Sequence, residues 1–152
     1  MTVLAAVGEK REANPVVELG HDLATAYDDD LVVLHVTPDE EFDRYLEEMR
    51  SFPEQGDYSI EQEEGSAARF ARRVVDASLP GGDDRAGAAV ETTGRVGRPA
   101  DEILTTADEV DARYVVLGGR RRSPAGKALF GSTTQRVLLD ADRPVVTRML
   151  SE

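Results

Sequence analysis

Residues 114–135 read YVVLGGRRRSPAGKALFGSTTQ. Tyr114 to Leu117 is a continuous apolar run, the mark of a buried strand, and Gly118 and Gly119 are predicted to end it. A helix is predicted to begin near Ser132. The same pattern repeats on either side of this stretch. Thr2 to Val7 (TVLAAV) and Leu31 to Val36 (LVVLHV) are two further apolar strands. Between them, Asn14-Pro15 is a helix start, and Val16, Leu19, Leu23 and Tyr27 recur at helical spacing. Helices are also predicted over Asp39–Met49, Ile60–Leu79 and from Pro99, where Ile103, Leu104, Ala107 and Val110 form the stripe. Ala86 to Val96 alternates more and is expected nearer a sheet edge, and Arg143 to Thr147 is a last short strand. Ser51 to Tyr58, with Pro53 and Gly56, reads as a loop. Strands that are continuous Val/Leu runs and alternate with helices predict an α/β fold: a parallel sheet with helices on both faces. Ligands in such sheets bind beyond the carboxyl ends of the strands, so the loops after Val7, Val36, Val96 and Leu117 matter most.

Composition narrows the function. A chain of 152 residues, 40% hydrophobic and 32% charged, is expected to be one globular domain spanning 1–152. The absence of cysteine removes disulfides, thiolate metal sites and cysteine nucleophiles. No apolar run reaches the roughly 18 residues of a membrane span, and MTVLAAVGEKR is unlike a signal peptide, so the expected place is the cytoplasm. The net charge of −12 argues against nucleic acid. Lys10 and Lys127 are the only lysines. A surplus of Asp and Glu with almost no lysine is the composition of a protein living in molar salt, where surface self-repulsion is screened.

The segment quoted first also carries the chemistry. Gly118 and Gly119 suit a loop that comes close to a phosphate, through positive φ or close backbone approach. The free amides at the start of the Ser132 helix make an anion site, and Arg120, Arg121 and Arg122 could add charged hydrogen bonds. Two plainer readings stand beside this. Ser132 and Gln135 also fit a capping box, and the arginines also fit surface ion pairing. A P-loop is excluded, because Lys127 is not followed by Ser or Thr and Arg121 stands where its first glycine belongs. A dinucleotide fingerprint is excluded too, since Gly8 is followed by Glu9 and Lys10.

The chain resembles the universal stress protein family over nearly its whole length. The resemblance is carried by the VLAAV strand, LVVLHV, the run GRVGRPADEILTTADEVDARYVVLGG, and the glycine segment through RPVV. The family's nucleotide-binding pattern is Gly-x2-Gly-x9-Gly-Ser/Thr. Gly118, Gly131 and Ser132 fill it, while Arg121 replaces the second glycine. The resemblance implies an adenine nucleotide alpha hydrolase-like (Rossmann-like) sheet of five parallel strands in order 3-2-1-4-5. It also implies a homodimer through the last strand, near Val145 and Val146, and, with the acidic composition, a halophilic archaeal source. Carried over by residue, it sets Ala6, Val7 and Val36 against the base of ATP or another adenine nucleotide, with or without Mg. Leu117 and Gly118 would lie beneath the ribose, and Arg120, Arg121, Gly131, Ser132 and Thr133 at the phosphates. Family members that bind ATP commonly have an acidic residue just after the first strand, where this chain has Gly8.

The remaining residues read as structural. His35 reads as a packed histidine and His21 as structural or solvated, while Asp28–Asp30 and Asp39–Glu41 read as solvated turns. Ser132 has no nucleophile-elbow setting. A slow ATP hydrolase would need a base and a metal-holding carboxylate, and residues 118–135 contain neither. A nucleotide-binding regulator and a member that works only through protein contacts both remain, and Gly8 and Arg121 favour the second.

Overall fold

The computed structural model describes residues 1–8, 14–52, 58–121 and 128–150, excluding the side chains of residues 83, 120, 121, 128 and 129. Strand β1 (Thr2–Val7) leads into helix α1 (Pro15–Tyr27), β2 (Asp30–Pro38), α2 (Asp39–Arg50) and α3 (Ile60–Ser78). Then follow β3 (Val90–Gly97), α4 (Pro99–Glu109), β4 (Ala112–Arg121), the two-residue β5 (Ala128–Leu129), α5 (Ser132–Asp140) and β6 (Val145–Leu150). Five of these strands run parallel in the order β3-β2-β1-β4-β6. Numbered among themselves, they give the expected 3-2-1-4-5. The predicted edge position of the third strand is also observed.

Side-chain alternation explains why the strands are apolar throughout. Val3, Ala5, Leu31, Val33 and Val116 point to one face and pack against Val16, Val17 and Ala24 of α1 and Ala71, Val74 and Val75 of α3. Leu4, Val32, Leu34, Val115 and Leu117 point to the other, against Ala100, Ile103 and Ala107 of α4 and Val137 of α5. Each strand residue therefore meets a helix, whichever way it points.

Local chemistry sets the helix ends. Asn14 caps α1, its side chain accepting from the Val16 N–H at 2.9 Å, and Pro15 fills the first turn. Ser59 and Gln62 form a complete capping box at α3. Gly94 lets α3 lie directly on β3: a Cβ there would stand 2.2 Å from the Glu64 carbonyl oxygen.

Four expectations need correction. The fourth strand does not end at Gly118-Gly119; it runs through both to Arg121, held by β6 on one edge and β5 on the other. Neither glycine takes positive φ, which among described glycines occurs at Gly81, Gly82, Gly87 and Gly97. The third and last strands begin later than expected, at Val90 and Val145. Finally, the Asp28–Asp30 turn is not wholly solvated. Asp29 is buried and bonded to Arg113 Nε at 2.7 Å, while Arg113 lies over the Tyr27 ring. The Arg113 hydrogen bond holds the Asp29 carboxyl below its ordinary pKa, against an opposing push from burial. Residues 53–57 of the predicted Ser51–Tyr58 loop lie outside the described residues.

Candidate functional site

Beyond the carboxyl ends of β1, β2 and β4 lies a cleft of about 450 Å³. Strand ends supply Ala6, Val7 and Gly8 from β1, Leu34, His35 and Val36 from β2, and Leu117 and Gly118 from β4. Helix starts supply Asn14 and Val16 of α1, Pro99 and Ile103 of α4, and Gly131 to Thr134 of α5. The strand order produces this opening. β1 is the switch point, from which the chain proceeds to β2 on one side and returns as β4 on the other. A larger hollow of about 730 Å³ lies at the opposite end of the sheet, bordered by Arg72, Arg85 and Gly87. It gathers none of the predicted site residues.

The α5 end is the polar wall. Its N-cap is Gly131, with ordinary φ of −64°, and no side chain caps it. Ser132 is therefore the first helical residue, and the predicted capping box with Gln135 is not formed. The first bond of the helix is from the Gln135 N–H to the Gly131 carbonyl at 3.0 Å. The amides of Ser132, Thr133 and Thr134 precede it and have no partner among the described residues. Thr134 donates its hydroxyl to the Gly118 carbonyl at 3.0 Å, fixing the helix start over β4. A Cβ on Gly131 or on Gly8 would meet nothing within 4 Å, so both glycines border open space.

The opposite wall is apolar except at His35. This residue packs against Phe70 with centroids 4.4 Å apart and the rings tilted by 39°, and its Nδ1 lies 3.0 Å from the Val7 carbonyl oxygen. It is packed, as expected, but it also borders the cleft. Sequence reasoning missed that second property. Its position directly beside Val7 in the β1–β2 register was the available signal. Glu102, between Pro99 and Ile103 on α4, has its carboxyl pushed up by burial, with Arg95 pulling the other way.

Of the predicted residues, Ala6, Val7, Gly8, Val36, Leu117, Gly118, Gly131, Ser132 and Thr133 are brought together around this cleft. Arg120 and Arg121 are residues of β4, paired with Leu129 and Ala128, and their side chains lie outside the described residues, as does Arg122. Arg121 is extended, so no left-handed strain attends its replacement of a glycine. Among the described residues no group of three His, Cys, Asp or Glu is placed to hold a metal. Nor is any described helix long and apolar enough to cross a membrane.

The model of the universal stress protein family matches residues 1–147. The chain belongs to the universal stress protein family. A universal stress protein of Mycolicibacterium smegmatis is 40% identical over 80 residues, which is 52% of this chain and 62% of that protein's length. A solved universal stress protein from Archaeoglobus fulgidus is 27% identical, with a TM-score of 0.60 over 97% of each chain. An A. fulgidus universal stress protein in complex with dAMP is 23% identical, with a TM-score of 0.55 over 97% of this chain and 96% of that one.

Proposed function

We propose that this universal stress protein binds ATP or another adenine nucleotide in the cleft at the β1, β2 and β4 ends. The observation that carries the reading is the pairing of two unlike walls across one opening. One is the row of unpartnered amides at the α5 start beside the open space at Gly131. The other is the apolar surface of Ala6, Leu34 and Val36. The first suits phosphate and the second suits a flat base. The volume of about 450 Å³ lies in the range of small-molecule sites, roughly 300–1,000 Å³. The dAMP complex of the A. fulgidus relative supports the choice of adenine. Val7, Leu117 and Gly118 would floor the site, Ser132 and Thr133 would donate to phosphate oxygens, and Arg120 and Arg121 would add charge. Mg would arrive with the phosphates. The protein then acts in the cytoplasm as a homodimer whose contacts respond to occupancy.

The test uses protein purified in molar KCl. It is denatured, the released small molecules are identified, and Mg-ATP is titrated by calorimetry. Released adenine nucleotide, or micromolar binding, supports the reading. No release and no heat at millimolar ATP overturns it.

A second reading, action through protein contacts alone, is favoured by the surface around β6. β6 pairs only with β4 among the described strands, and Leu139 on α5, the helix that precedes β6 in the chain, is 77% exposed.

A further inference from the structure

The two glycines of β4 are seats for side chains of β6. A Cβ on Gly118 would stand 2.7 Å from Leu150 Cδ1 and 3.4 Å from Val16 Cγ2. A Cβ on Gly119 would stand 2.7 Å from Met149 Sδ and 3.1 Å from the Phe130 ring. Successive side chains of a strand leave opposite faces of the sheet, so each glycine takes one of them. The two seats differ in what they adjoin. Leu150, with Val16 and Gly118, borders the cleft, and it is only partly buried against the face covered by α1 and α3. Met149 is not among the described residues that line the cleft.

β6 is the element with two states. It pairs only with β4 among the described strands, so it can open locally while the rest of the sheet stays formed. When β6 opens, Leu150 leaves Gly118 and the cleft loses part of its wall. A molecule that fills the cleft covers apolar surface of Leu150 only while the strand is attached. Occupancy therefore favours the attached state.

We infer that Leu150, seated on Gly118, couples occupancy of the cleft to the attachment of β6. The inference rests on the nucleotide reading above, and it specifies how the strand proposed for dimer contact senses the ligand. One or two newly covered methyl groups correspond to roughly fourfold to fifteenfold in an equilibrium constant. Linkage is reciprocal, so the seated leucine strengthens nucleotide binding by the same factor.

Amide hydrogen exchange is followed with and without saturating Mg-ATP, and affinity is read by calorimetry. The reporters are the Val146 and Arg148 amides, which face β4. The reference is β3, the opposite edge of the parallel sheet, which gives none of the described residues bordering the cleft. ATP should slow the β6 amides about fourfold to fifteenfold beyond any slowing at β3. In Leu150→Ala that excess should vanish, and ATP should bind more weakly by roughly the same factor. Met149→Ala trims the other face of β6 and should keep both the excess and the affinity. ATP binding with no excess at β6 overturns the inference, as does an excess that survives Leu150→Ala. An excess lost equally in Met149→Ala overturns it too, because any loosening of the strand would then suffice. If Leu150→Ala does not fold, Leu150→Val takes its place and should lose part of the excess. Failure of the wild type to bind ATP, ADP or AMP defeats the nucleotide reading itself, an outcome distinct from binding that leaves β6 unaffected.

Discussion

At Gly131 and Gly8 a side chain can be added without a collision, which makes both positions clean probes of the cleft. Gly131 has φ −64° and ψ 166°, backbone that any residue adopts. Gly131→Val should therefore fold, losing at most about 1 kcal/mol from a poorer helix cap. Its isopropyl group would stand where a phosphate must approach the Ser132 and Thr133 amides. ATP binding should disappear while the melting curve stays cooperative, and unchanged affinity would move the site elsewhere. Gly8→Asp is the opposite experiment. It puts back the acidic residue that the family resemblance places after the first strand. One added hydrogen bond, about 0.5–1.5 kcal/mol, should tighten ATP binding roughly threefold to tenfold. Weaker or equal binding in the titration would show that this carboxylate has no role here. Gly94 is a glycine of another kind, because α3 occupies the place of its missing Cβ. Gly94→Ala should cost about 1–3 kcal/mol, or about 2–4 °C in Tm per kcal/mol, whereas Gly8→Ala should leave Tm unmoved.

At the scale of elements, β6 carries the proposal of a dimer. The Pro144 carbonyl accepts from the Val115 N–H at 3.0 Å. Backbone groups alternate along a strand, so Val146 and Arg148 also face β4, while Val145, Thr147 and Met149 face the open edge. Thr147→Pro removes one edge N–H and none of the bonds to β4. Light scattering should then report a monomer from a dimeric parent, with the circular dichroism of a folded chain. A dimer that survives would lie on some other surface. The elements also show what was legible in the sequence. The parallel framework was, because burial on both faces writes continuous Val/Leu runs in β1, β2 and β4, while α1 and α4 carry apolar stripes and open on prolines. The end of β4 was not. Gly118-Gly119 reads as a terminator when only local preference counts, yet pairing to Met149, Leu150, Leu129 and Ala128 carries the strand past both glycines. β5 escaped notice for the same reason: two residues have no periodicity to read. His35 was legible as packed but not as cleft-lining, since only the strand register sets it beside Val7 at the opening.

Charge acts on the whole molecule in two ways, through one local pair and through the net surface. At the amino ends of the strands, the buried Asp29 carboxylate pairs with the half-buried Arg113. The Asp29 carboxyl is held below its ordinary value, so the unfolded chain binds its proton first as pH falls. The stability it contributes is fully present above about pH 4 and is lost as pH drops through the lower folded-state value. Asp29→Asn should melt below wild type at pH 7, and the gap should close on acidification under about pH 4. A gap that is constant with pH would mean that the pair acts by shape rather than charge. Elsewhere the surface is dominated by carboxylates, and the net charge is −12. Repulsion among them reaches about 10 Å at 0.1 M salt but only about 3 Å at 1 M. The exposed ion pairs, such as Arg136–Asp101, are worth little and are weakened by the same screening. Raising KCl therefore removes a large unfavourable term and a small favourable one. Tm should climb steeply between 0.1 and 1 M KCl and flatten beyond. A further climb above 1 M would point to ions bound at the carboxylates, because simple screening is nearly complete by then. A Tm that is flat or falling across the whole range would show that the acidic surface is no adaptation to salt. Binding would then have to be measured at ordinary ionic strength, where the same −12 field opposes the approach of a polyphosphate.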